Sequence, residues 1–524
     1  MANGSMALAR ARTALIACAL IALTSRIARA RAMTPIRAYA SASASARTRE
    51  RATRARVERA SDGFERAFAQ RVDHFACDDD RTFEQRYFAR TFVARGRARE
   101  VYVCAGGEGE ALSASVVEDD GDAHCADAVA LAKARGGVVV ALEHRFYGAS
   151  QPTGDLSVGS LKYLSSAQAL EDLATFATTA LTSLGASADA KIVVFGGSYP
   201  GMLASFFRTK YPHIAHAAVA SSAPVRAELD MRGYYDVVGD ALREADVGGS
   251  DGCFDAVSRG FSAISRELAT ARGRRGLEEK FNLCGVEPLD AFGGRDAFAM
   301  TLQMIFPAQN NDPSCAMTDD SCLNIAKACS TMLAMENKLD AVAALAQLAY
   351  RDECVDIDGE ESLRDLKNEV PDPAGDGARQ WTWQTCTEFA FFQTCERESR
   401  CPFKLDPPAN TLESYEWLCR ELFNIDVHDI AAAVNRTNAR YGADVSGGTR
   451  ILYPSGSVDP WIANSITRSR WLAPAFVVPG ASHHAWTHPP KSSDSPAVVD
   501  ARARIKTQIT AWLERERAGA LRTS

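Results

Sequence analysis

The chain has 524 residues, with 59 Lys+Arg against 66 Asp+Glu, a formal net charge of −7 and 46% hydrophobic residues. That length exceeds one ordinary domain, and the globular composition argues against whole-chain disorder, collagen and coiled coil. No apolar run approaches the ~20 residues of a membrane-spanning helix, which excludes a multi-span membrane protein.

Residues 1–60 hold 12 Arg, no Lys and 2 Glu, which leaves a net −17 on the remainder. An acidic body argues against nucleic acid as a partner, because phosphate binding needs clustered positive charge. The apolar stretch at 13–24 follows Arg10 and Arg12 and precedes Ala30-Arg31-Ala32. This is the layout of a secretory signal peptide over 1–32, leading to the lysosome, the vacuole or the exterior. An organelle transit peptide is the alternative, since Arg, Ala and Ser dominate the leader. Residues 33–62 have almost no large apolar side chains and read as a disordered linker or trimmed pro-segment.

From 63 to 225, strand-like and helix-like segments alternate. VYVCAGG (101–107), GVVVALEHR (137–145), KIVVFGG (191–197) and AHAAVASSAP (215–224) are apolar runs. Between them, 165–185 and 201–212 have helical spacing, which implies a parallel sheet with crossover helices. From 226 to 430 helices are predicted to dominate, for example over 253–271, 322–349 and 411–423. Strand signals return at 449–456 and 474–480, and a last helix covers 496–517, ahead of a tail at 518–524. An α/β unit in two parts, 63–225 and 431–517, is therefore expected around a helical insertion of roughly 200 residues.

Of the 14 Cys, Cys18 lies in the leader and ten lie between Cys253 and Cys419. Several disulfides in an oxidising compartment are expected. The odd count of 13 requires a free thiol, and Cys104, in a core-strand run, is the nominee. Asn435-Arg436-Thr437 is a glycosylation sequon that fits secretion.

Phe195-Gly196-Gly197-Ser198-Tyr199-Pro200-Gly201 follows a strand and opens a helix. That is the setting of a nucleophile elbow, although Pro200 stands where the usual G-x-S-x-G pattern has Gly. Pro is tolerated there because the first helical turn does not need its N–H. A serine nucleophile needs a base oriented by a carboxylate, and in this fold class they follow in the order Ser, Asp/Glu, His. Asp459 follows the strand at 449–454, and His483, His484 and His488 follow the strand at 474–478. On spacing alone the three histidines compete for the base. The oxyanion hole is expected from the N–H of Tyr199 and a second N–H in the Gly106–Gly109 loop, at Gly107. No metal and no cofactor are expected, since no third ligand accompanies His484 and His488.

These segments resemble a family of serine exopeptidases that includes lysosomal Pro-X carboxypeptidase, dipeptidyl peptidase II and thymus-specific serine protease. The matching stretches include GGEGE (106–110), ALEHRFYGAS (141–150), FGGSYPG (195–201), WQTCTEFAFFQT (383–394), GSVDPW (456–461) and SHH (482–484). WQTCTEF and CPF (401–403) are most similar to the thymus-specific branch. The resemblance implies an α/β-hydrolase fold with an inserted, disulfide-containing helical cap. It implies Ser198, Asp459 and His483 as the catalytic triad, and short peptides, often cleaved after proline, as substrates. This chain has Ala485-Trp486 where the family often has Leu-Asp or Ala-Asp. Glu388 and Trp461 are candidate substrate contacts; a structural tie between cap and hydrolase unit is the other reading of Glu388. Peptides are the expected partners, with a homodimer admitted. A lipase or esterase on the same scaffold, or a non-catalytic peptide-binding member, are the competing functions.

Overall fold

The structure, a computed structural model, describes residues 63–119, 125–319, 322–350, 354–396, 398–443, 447–470 and 472–520. The expected leader, the 33–62 segment, Cys18 and the end of the tail lie outside these residues.

Eight strands form one sheet: β1 Glu65–Arg71, β2 Thr82–Thr91, β3 Ala98–Ala105, β4 Val138–Leu142, β5 Ala186–Gly197, β6 Ala215–Ser221, β9 Ile451–Gly456 and β10 Ala475–Val478. Their order is β1-β2-β4-β3-β5-β6-β9-β10. From β4 to β10 every neighbouring pair is parallel, with Val103 opposite Val140 and Phe195 opposite Val219. The sheet is nevertheless mixed: β1 and β2 pair antiparallel, and β2 runs antiparallel to β4. The sequence pattern predicts only the parallel part, because a hairpin at a sheet edge needs no crossover helix to announce it.

The parallel strands read as unbroken apolar runs because both faces are covered. Alternate residues of one strand serve the two layers. Val101, Val103 and Ala105 pack with the helices Ser166–Thr179 and Tyr199–Lys210. Tyr102 and Cys104 face the helices Ala126–Arg135 and Pro496–Ala520. That second layer corrects the thiol assignment. Cys104 points at the start of helix Ala126–Arg135 and is bonded to Cys125, its N-terminal neighbour. Cys77, exposed, is the free cysteine among the described residues.

The insertion between β6 and β9 is mainly helical and holds the other five disulfides: Cys253–Cys329, Cys284–Cys354, Cys315–Cys322, Cys386–Cys419 and Cys395–Cys401. It also contains a two-stranded parallel ribbon, β7 Glu228–Asp230 with β8 Ala390–Phe392. The predicted helix over 322–349 is two helices, Ile325–Ala334 and Lys338–Tyr350. Between them Met335 is extended, and Asn337 Oδ1 accepts the N–H of Leu339, a local side-chain bond that competes with a continuous helix. The last helix runs to Ala520, past the predicted end at 517. Among the described residues no helix is long and apolar enough to cross a membrane. The six disulfides among the described residues mark a protein of the oxidising secretory pathway.

Candidate active site

In β4-β3-β5 the chain order reverses about β3, so the loops after β3 and β5 meet at the C-terminal edge of the sheet, where open α/β sheets bind ligands. Ser198 stands between β5 and helix Tyr199–Lys210 with φ 61° and ψ −131°. Positive φ is strained for a residue with a side chain, and such strain concentrates at functional turns. It is held by the N–H of Ser198 donating to Ser221 O at 2.9 Å and by Met202 N donating to Ser198 O at 3.0 Å. The turn is too tight for side chains nearby. A Cβ at Gly196 would lie 2.2 Å from the carbonyl of Pro200, and one at Gly201 would lie 3.0 Å from Gly196 O.

The loop after β3 packs directly on this turn. Gly106 N–H donates to Leu142 O, and a Cβ at Gly107 would lie 2.2 Å from Pro200 Cγ. Tyr199 is the first residue of its helix, so its N–H has no intrahelical acceptor. In the same loop, burial pushes the Glu108 carboxyl up to about 8. Glu108 Oε2 is buried without a hydrogen-bond partner among the described residues.

Asp459 follows β9 and is fully buried. Its Oδ1 caps the turn Pro460–Asn464 by accepting Trp461 N–H at 3.0 Å, and lies 2.9 Å from His483 Nδ1. A carboxylate only accepts, so Nδ1 carries the proton and Nε2 is left as the basic nitrogen. His484 does not compete for Asp459. Its Nδ1 lies 3.2 Å from Thr487 Oγ1, its N–H donates to Ser222 Oγ, and its ring packs 4.4 Å from that of His483. A Cβ at Gly197 would come within 3.0 Å of the His484 ring, which puts the histidine loop beside the residue preceding Ser198.

A hydrogen-bond chain ties the elbow to the cap. Burial holds the His144 imidazole down, to about 4, so it is neutral. Its Nδ1 donates to Arg145 O at 2.8 Å, which leaves Nε2 to accept the Tyr199 hydroxyl at 3.0 Å. Gln384 Nε2 donates to the same hydroxyl, and Gln384 Oε1 accepts the Tyr147 hydroxyl at 2.7 Å. The neighbours of His144 are structural. Glu143 accepts Arg86, Leu112 N, Ser150 N and Ser150 Oγ, and Arg145 is paired with Asp172 in the interior.

Glu388 lies in a π-helical turn, Thr385–Phe389, and both of its oxygens are engaged by Ser166. Oε2 accepts Ser166 N at 2.8 Å and Oε1 accepts Ser166 Oγ at 2.5 Å, which links the cap to the start of a hydrolase helix. Burial pushes its carboxyl up to about 7. Trp461 lines a narrow cleft, with room for about one water, together with Trp381, Phe391, Phe392 and Thr385. Its ring lies 6.2 Å from that of His483 and 5.5 Å from that of Phe391. Asn435 is exposed on the helix Val427–Tyr441. Sequence reading missed Gln309, Gln384 and Trp381. Only Gln384 lay in a highlighted motif, and no local pattern marks the other two.

The sheet order, the two helix layers and the strained serine turn define an α/β-hydrolase. Within that class the chain belongs to the family described as serine carboxypeptidase S28, which matches residues 70–505, and it is a serine peptidase. It is 34% identical to thymus-specific serine protease of Mus musculus over 462 residues, 85% of this chain and 86% of that one. To lysosomal Pro-X carboxypeptidase of Homo sapiens it is 25% identical, over 85% and 87% of the two chains. Among solved structures it is similar to a proline iminopeptidase of Mycobacterium smegmatis, with TM-score 0.33 and 11% identity, over 85% of this chain and 98% of that one.

Proposed function

We propose that this protein is an exopeptidase that hydrolyses short peptides after proline through an acyl-enzyme, with Ser198 as nucleophile, His483 as base and Asp459 as its orienting carboxylate. The observation that carries the proposal is the Asp459–His483 pair at 2.9 Å, with the histidine loop packed beside Gly197, the residue before the strained Ser198. His483 Nε2 takes the proton of the Ser198 hydroxyl as Oγ attacks the substrate carbonyl. The charge that forms on the carbonyl oxygen is met by the N–H groups of Tyr199 and Gly107. His483 then gives its proton to the departing amine as the C–N bond breaks. Water repeats the sequence on the acyl-Ser198 ester and releases the acid.

Proline preference is supported by the aromatic cleft. A proline ring carries no N–H and asks of its pocket only apolar contact; Trp381, Phe391 and Trp461 are of that kind, and the gap between them, with room for about one water, would have to widen to admit the ring. Buried carboxyls such as Glu108 and Glu388, pushed up to about 8 and about 7, favour work in an acidic compartment of the secretory pathway.

The test is a panel of Xaa-Pro dipeptidyl, Pro-Xaa and short acyl-ester substrates at acidic and neutral pH, run with wild type and Ser198→Ala. Cleavage of one proline class, lost in Ser198→Ala, is expected and identifies the peptide end. Turnover of esters alone would overturn the proline-directed exopeptidase reading.

A further inference from the structure

Gln309 belongs to the insertion, 150 residues before Asp459 in the chain, yet it bonds to both loops that carry the Asp459–His483 pair. Its backbone carbonyl accepts the His483 N–H at 3.1 Å. Its side-chain Oε1 accepts the indole N–H of Trp461 at 3.0 Å and the hydroxyl of Tyr234 at 2.7 Å. An indole N–H can only donate, so the amide is oriented with its oxygen toward Trp461. Trp461 is 8% exposed, and a buried indole N–H without an acceptor is unfavourable. The ring therefore keeps the rotamer that points Nε1 at Gln309. That rotamer sets its approach to Phe391, with which it walls the cleft. Tyr234 stacks edge-on against the same ring at 5.5 Å and is held by the same oxygen.

We propose that Gln309 is a positioning residue that determines specificity. By fixing the Trp461 ring it shapes the subsite for the proline ring, and by its backbone carbonyl it holds the His483 loop in register with that subsite. The cap is thus a working part of the pocket as well as its cover. This rests on the peptidase reading above and adds to it the residue that sets the preference.

The experiment compares kcat/KM for two substrates that differ only in proline against alanine at the cleaved position. Gln309→Met keeps the length and removes the acceptor. The proline-to-alanine ratio should fall about tenfold, the scale on which one misfitted apolar wall changes discrimination. Gln309→Glu keeps oxygens for Trp461 and Tyr234 and should hold the ratio within about threefold. Trp461→Phe should reproduce the loss, and the double variant with Gln309→Met should lose no more than either single, as expected for groups acting as one unit. A purely structural role would lower both substrates together and leave the ratio alone. If Gln309→Met does not fold, the Glu and Phe variants decide. A ratio kept by Gln309→Met, lost equally in Gln309→Glu, or lost additively in the double variant, overturns the proposal. Wild type that cleaves no peptide overturns the peptidase reading, which is a different result from wild type that cleaves peptides while Gln309→Met keeps the ratio.

Discussion

Gly107→Ala tests the oxyanion assignment by geometry alone, since it changes no charge and removes no donor. The added Cβ would sit 2.2 Å from Pro200 Cγ and 2.6 Å from its Cδ. Carbon atoms in contact prefer about 3.5 Å or more, so something must yield by roughly 1.3 Å. Pro200 cannot swing away, because its ring is part of the backbone in the first turn of helix Tyr199–Lys210. Either the glycine loop moves off, taking the Gly107 N–H, or the helix start moves, taking the Tyr199 N–H. In both cases the two donors stop converging on one oxygen. A misplaced oxyanion donor costs about 2.7–4 kcal/mol, or ~100- to 1,000-fold in kcat. KM should stay within about threefold, since the contact strengthens mainly in the transition state. The assay is kcat and KM on the best substrate of the panel, with active sites counted by fluorophosphonate titration and folding checked by near-UV circular dichroism. Gly276→Ala is the control: a Cβ there meets nothing within 4 Å, and the helix Ala271–Lys280 should gain slightly. A folded Gly107→Ala with kcat within threefold of wild type would refute the assignment.

His483→Ala should lose several orders of magnitude in kcat, as Ser198→Ala does, while His484→Ala should lose far less, because of the two only His483 reaches Asp459; steady-state rates of the three variants check the ranking. Thermal stability should be higher near pH 5.5 than at pH 8. Burial pushes Glu108 up to about 8 and Asp127, Asp296 and Glu388 to about 7, so their contribution is present below the unfolded carboxylate range and is lost as pH rises through 7–8. His144, held down to about 4, acts oppositely, its contribution being lost as pH falls from 6.5 toward 4. Melting curves across this range, with Glu108→Gln showing a smaller drop at pH 8, are the measurement; a maximum above pH 8 contradicts it. Replacing Cys253 and Cys329 by Ala should destabilise the insertion by about 4 kcal/mol, since that bridge closes 76 residues. Hydrogen exchange should rise in 251–350 while β5 and β6 stay protected, and earlier exchange in β5 would refute it.

What the sequence determined by itself is what short-range chemistry encodes. The apolar runs of β3 to β6, the glycines around Ser198 and the places of Asp459 and of His483, His484 and His488 just after apolar runs are each written within windows of a dozen residues, where turn sterics and side-chain period act. The odd cysteine count required a free thiol without naming it. Only the tertiary structure decided that Cys104 meets Cys125, because that depends on which helix covers the alternate face of β3. In the same way the histidine that faces Asp459 depends on how one loop turns, and Glu388 meets Ser166 across 222 residues. Gln309 shows the limit most clearly. Nothing in Pro307-Ala308-Gln309-Asn310 marks a functional position, and its value comes from two donors that the fold brings to one oxygen from 75 and 152 residues away. Local preferences are legible along the chain because they act between neighbours, whereas such contacts exist only once the insertion has closed over the sheet.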